Sequence, residues 1–158
     1  MTVIGITGHQ ELPSAARVHA LERIDAVLTR AAAPVIGLSS LAKGADQLFA
    51  ELLLRSGGTL FAVIPSHDYA TTFSGAARDT YLRLRAAAKS AVTLDHHHAS
   101  EAAFDEAGRF VVEHSDLLVA VWDGSPARGT GGTADVVAHA HRLNRPVTVV
   151  WPDGLARP

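Results

Sequence analysis

The sequence predicts an α/β protein: one domain, a three-layer sandwich around a mostly parallel sheet of about six strands. Three observations carry that expectation. Short apolar runs recur along the 158 residues, each closing on a turn signal. The runs are continuous rather than alternating, as strands covered on both faces require. Between successive runs lies a stretch of helical period, and strict β–α alternation is what a parallel sheet with helices on its faces produces.

Taken in order, TVIGIT (2–7) is rich in β-branched residues and stops at Gly8. PVIGLS (34–39), TLFAVIP (59–65), AVTLD (91–95), DLLVAVW (116–122) and PVTVVW (146–151) repeat the theme. Five helical stretches alternate with them. Ser14 is placed to cap the first, with Val18, Leu21, Ile24 and Leu28 on one face. Leu48, Leu52 and Leu53 mark the second, after KGAD. The third runs over 73–88 with Arg78, Arg83 and Arg85 towards solvent. Ser100 is placed to cap the fourth, which carries Phe104, Ala107 and Val111, with Glu101 in its first turn. Thr133 is placed to cap the last, turning Val136, Val137 and Ala140 inward. The pattern is Rossmann-like. The domain is expected to span 1–152, leaving 153–158 as a loose tail.

Composition narrows the function. An apolar fraction of 47% with 19% charged residues fits a compact soluble chain, and the net charge is −2. Only Lys43 and Lys89 are lysines among the 14 basic residues, and no basic stripe suits duplex nucleic acid. Cysteine is absent, which removes disulfides and thiolate metal sites. No run reaches membrane-spanning length and the first residues lack the pattern of a signal peptide, so the expectation is a cytoplasmic protein. The DHHH stretch at Asp95–His98 is not expected to bind metal, because consecutive histidines cannot all face one ion from a regular element. No cofactor is expected either.

In an open parallel sheet, ligands bind beyond the carboxyl ends of the strands where strand order reverses. Four loops there are chemically unusual. TGHQEL offers Gly8 and His9 to a ligand, or is simply a tight turn. In GLSSLAKGADQ, Ser39, Ser40, Lys43 and Gly44 precede a helix start that would attract an anion. Asp46 in that first turn suits a ribose hydroxyl or a backbone donor better, and a plain capping role is the alternative. IPSHDYATTF places Pro65, Tyr69 and Phe73 either to stack on a base or to pack the loop onto the sheet. WDGSPARGTGGTADVV carries Asp123, then Gly129, Thr130, Gly131, Gly132 and Thr133 ahead of a helix. Glycines there let backbone amides converge on a phosphate. The spacing matches neither a Walker A motif nor G-x-G-x-x-G.

Together these stretches resemble the SLOG superfamily, the Rossmann-like nucleotide-binding group named for Smf/DNA-processing protein A and the "lonely guy" cytokinin-activating proteins. GLSSLAKGADQLFAELLLRSGGTLFAVIP looks like the DNA-processing branch, and GITGHQEL like the opening of smaller bacterial members. GTGGTADVV is similar to the Gly-Gly-x-Gly-Thr-x-x-Glu loop of the cytokinin-activating phosphoribohydrolases, and AVWDG with GGTAD is similar to nucleoside 2-deoxyribosyltransferases. The resemblance implies a nucleotide or nucleotide-derived ligand, held in a sensor or carrier role, and pairing into a homodimer. The enzymes of the group imply the alternative: cleavage of the N-glycosidic bond of a nucleoside monophosphate. Their glutamate lies three residues after the threonine, where this chain has Val136. The remaining carboxylate that could assist such a reaction is Asp135, one position earlier, or Asp46. Binding of single-stranded DNA would need a basic groove with stacking residues, which the sequence lacks.

Overall fold

A computed structural model describes residues 1–126 and 132–158. The strands are β1 (Thr2–Gly8), β2 (Val35–Ser39), β3 (Thr59–Ile64), β4 (Ser90–Thr93), β5 (Leu117–Val121) and β6 (Val147–Val149). They alternate with α1 (Ser14–Arg30), α2 (Ala45–Arg55), α3 (Gly75–Ala87), α4 (Glu101–Glu113) and α5 (Thr133–Arg142), and a short 3-10 turn, Tyr69–Thr72, precedes α3. All pairings among them are parallel, in the order β4-β3-β2-β1-β5-β6. Strand order therefore reverses between β1 and β5, the neighbours that the ligand-binding rule singles out.

Alternate residues of the strands enter two cores. Ile4, Ile6, Leu60, Ala62, Ile64, Val119 and Val121 pack with α1, α2 and α3 side chains such as Ile24, Phe49, Leu53 and Leu84. On the other face, Leu38, Val63, Leu118 and Ala120 meet Ala107, Val111 and Val112 of α4 and Val136, Val137 and Ala140 of α5. Continuous apolar runs follow from this two-sided burial. The edges depart from it: Val92 of β4 and Val149 of β6 stay exposed, because α4 and α5 do not reach across β4 and an edge strand has one neighbour only.

Three local expectations need correction. The buried row of α1 is Ala16, Ala20, Ile24 and Leu28, an i,i+4 ridge, whereas Val18 is 56% exposed. Alanines win the inner positions because they let the helix lie close to the sheet. Ser14 is the first helical residue after Pro13 rather than a cap, and Thr133 likewise follows the N-cap Gly132. Phe104, 38% exposed, meets Tyr69 at 6.3 Å and lines the cavity at the carboxyl ends of the strands. Ser100 does cap α4, its hydroxyl accepting from the Ala103 amide at 3.0 Å. No helix among the described residues is long and apolar enough to cross a membrane.

Candidate functional site

The carboxyl ends of β1, β2 and β3 open into a cavity of about 720 Å³. Its floor at the switch point is Ile6, Thr7, Gly8 and His9. The β1 end is tied to β5 by the His9 amide, which donates to the Val121 carbonyl at 3.0 Å. His9 is 7% exposed. Its Nε2 lies 3.1 Å from Asp123 Oδ1 and 3.2 Å from the Asp123 amide, so it donates to the carboxylate in one tautomer and accepts from the amide in the other. Burial pushes the Asp123 carboxyl up, but hydrogen bonds from the Ser125 hydroxyl and amide and from His9 outweigh it and hold the group at about 2. Asp123 does not itself line the cavity; it fixes the histidine that does.

The glycines here serve packing. A Cβ on Gly8 would meet Ala45 Cβ at 2.5 Å and the Val121 carbonyl at 2.8 Å. Gly44 has φ +87, and a Cβ there would sit 2.4 Å from the Gln10 carbonyl and 2.6 Å from that of His9. The close approach these glycines allow is between β1, β5 and α2, and the Ala45 amide donates to the His9 carbonyl at 3.2 Å across it.

On the α2 side, Ser40, Lys43 and Asp46 line the cavity, while Ser39 lies behind it, its hydroxyl accepting from the Leu41 amide. Asp46 is 7% exposed. Burial drives its carboxyl up to about 7, against the pull of the Ala42 and Ser40 amides and the Ser39 hydroxyl. A carboxyl poised near neutrality in a cleft is the kind of group that binding and catalytic sites use. Lys43 pairs with Glu11 at 2.7 Å on the rim, with about half its side chain exposed.

Pro65, Tyr69 and Phe73 form an apolar wall. Tyr69 is buried and meets Phe73 edge-on at 5.0 Å and Tyr81 at 5.4 Å, while Phe73 stacks on Tyr81 at 4.5 Å. Burial, then Asp46 and Tyr81, raise the Tyr69 phenol well above its ordinary value. The aromatic loop thus both packs onto the sheet and faces the cavity. Asp68 secures it, accepting from the Ser66 hydroxyl and the Ala99 amide, each at 2.8 Å. The histidine stretch diverges: His96 pairs with Glu106, His98 with Asp68, and His97 lies against His67. No group of three or more His, Asp or Glu among the described residues is placed to hold a metal.

Gly132, Thr133 and Val136 of α5 and Gly108 and Val111 of α4 also line the cavity. Val136 is 6% exposed, its side chain filling the space a Cβ on Gly108 would take. Asp135 is not among the lining residues. Gly129, Thr130 and Gly131 lie outside the described residues. Sequence reasoning also missed Arg157, which lines the cavity with its NH1 3.4 Å from His9 Nδ1. It arrives there because residues after β6 turn back: the Trp151 indole donates to the Leu155 carbonyl at 2.7 Å and lies edge-on to His9.

No protein-family model and no curated protein matches the sequence. Solved structures do match. DNA processing protein A from Streptococcus pneumoniae is similar at TM-score 0.71 and 16% identity, over 94% of this chain and 50% of that one. The single-stranded DNA-binding DNA processing protein A from Helicobacter pylori is similar at 0.66 and 17%, over 94% and 64%. The chain thus spans about half to two thirds of those proteins. The molybdenum cofactor carrier protein from Chlamydomonas reinhardtii is similar at 0.61 and 21%, over 94% and 75%. At these identities the likeness is one of fold: the chain carries the Rossmann-like architecture these proteins share.

Proposed function

We propose that this protein binds a nucleotide or nucleotide-derived ligand at the carboxyl-terminal edge of the sheet, as a sensor or carrier. The cavity at the switch point carries the reading. It is large enough for a mononucleotide and is lined both by Tyr69 and Phe73 and by the start of α5. A flat heterocycle matches the aromatic rings, and the amides and dipole of a helix N-terminus match a phosphate. Both a DNA-binding and a cofactor-carrying protein share the fold, which accords with a ligand that contains a heterocycle.

A carrier role rather than turnover follows from Val136. Packed against Gly108 on the cavity wall, it offers no group to support positive charge developing on a sugar, and losing a positioned acid–base group costs about two to four orders of magnitude in rate. N-glycosidic hydrolysis is favoured by one observation only, the Asp46 carboxyl near neutrality in the cavity.

The test is a thermal-shift and calorimetric screen over nucleoside mono-, di- and triphosphates, with free base followed by chromatography. Expected are binding by the wild type, at least tenfold weaker binding in Gly132→Val with native circular dichroism, and little free base. Turnover near 1 per second, lost in Asp46→Asn with binding retained, overturns the carrier reading.

A further inference from the structure

Among the described residues the cavity is lined by an arginine, Arg157, that forms no close ion pair. The other cation on the cavity's rim, Lys43, is taken by Glu11, and Asp123 is held by Ser125 and His9. The nearest polar contact of Arg157 is the His9 ring nitrogen at 3.4 Å, a long approach from a group that only donates. Its Nε is fully buried without a hydrogen-bond partner, and a buried donor left without an acceptor costs free energy that native proteins rarely leave uncompensated.

The chain brings the guanidinium there by two contacts and a turn. Trp151 packs edge-on against His9 at 5.3 Å. Its indole ties down the Leu155 carbonyl, and Gly154, at φ +74, makes the intervening turn. The segment therefore crosses from the end of β6 past β5 to reach the end of β1. There Arg157 lines the same cavity as Gly132 and Thr133 at the start of α5.

We infer that Arg157 is the anion contact of this site: it receives a phosphate or pyrophosphate group of the ligand, together with the start of α5, while the ring lies towards Tyr69 and Phe73. The inference rests on the cavity being the ligand site proposed above, and it adds which end takes the charge. A guanidinium fork presents parallel N–H donors to two oxyanion oxygens, and a charge-assisted pair of that kind is about twice as strong as a neutral hydrogen bond.

The experiment titrates the full chain by calorimetry, at fixed ionic strength, with inorganic pyrophosphate, AMP and adenosine as probes. Expected is uptake of pyrophosphate and AMP by the wild type, weakened tenfold or more in Arg157→Gln and partly regained in Arg157→Lys, with adenosine affinity changed less than about twofold. Equal affinity of wild type and Arg157→Gln for AMP overturns the role of Arg157 and leaves the nucleotide reading standing. Uptake of pyrophosphate that depends on Arg157, with no nucleotide or nucleoside bound, removes the nucleotide reading and keeps Arg157 as an anion contact. A wild type that binds none of the probes overturns both.

Discussion

Two strand-to-helix junctions flank the end of β1, and they resolve the same chemical problem in opposite ways. The junction from β2 into α2 is rich in serine and glycine, and so is the approach to α5. Into the first the chain brings its own acid: Asp46 is set against the Ser40 and Ala42 amides, and Gly44 is pressed under the His9 and Gln10 carbonyls. Leu41 takes positive φ to close that loop. At the second, α5 starts after Gly132 in extended conformation, with no side-chain cap, and its first residues line the cavity. In the first, a buried carboxylate and a tightly packed glycine close the junction on itself; in the second, the described residues Gly132 and Thr133 are turned to the cavity.

The largest effect should come from breaking the closed junction. Gly44→Val adds a side chain at φ +87 against two backbone carbonyls, which cannot move without separating α2 from β1. We expect a loss of about 3 kcal/mol or more in urea unfolding, against about 1 kcal/mol or less for Gly132→Ala, whose φ of −74 suits any residue. Equal losses at the two glycines would erase the distinction.

Next in size is the pH response. With its folded-state pKa raised to about 7 from 3.8, Asp46 favours the fold in its protonated form. Its contribution is complete below about pH 4 and is lost as pH rises through 7, on the order of a few kcal/mol. Asp46→Asn should flatten that part of the stability profile between pH 4 and pH 8. Asp123 runs the other way: lowered to about 2, it contributes above pH 4 and loses that contribution as pH falls through 2. Unfolding curves that keep the neutral-range slope in Asp46→Asn would assign it elsewhere.

The smallest effect belongs to Lys43. Its pairing with Glu11 is half exposed, so Lys43→Ala should change stability by less than about 0.5 kcal/mol. Nucleotide affinity should fall less than in Arg157→Gln, since Lys43 sits at the rim of the closed junction. A larger loss for nucleotide than for nucleoside, matching that of Arg157→Gln, would move the phosphate towards α2.

Much of this architecture was legible in the sequence because parallel strands and amphipathic helices declare themselves locally. The strand–helix alternation, the Ser100 cap and the inward face of α5 were legible for that reason. Where Ala16 and Ala20 displace Val18, apolarity misled, since closeness of packing rather than hydrophobicity decides the inner row. What stayed hidden was contact across the chain. Nothing local says that His9 meets Asp123, that Gly108 and Val111 of α4 complete the cavity wall, or that Arg157 returns to the first loop. Such pairings depend on how the sheet is wound, and one-dimensional periodicity carries no trace of them.

The central place of β1 has a further consequence, for how the chain is made. β1 pairs on one side with β2, close by in sequence, but on the other with β5, through Ile4 opposite Leu117 and Gly8 opposite Val121. During synthesis β1 is therefore an open edge for most of the time the ribosome is at work, with unpaired amides and carbonyls along a β-branched run. A chain stalled before Leu117 exposes that run as a template for other chains, and long-range pairing of this kind is the slow kind. The arrival of β5 covers the edge and, in the same step, creates the crevice between the two strands. Protection from aggregation and the opening of the cavity are one event.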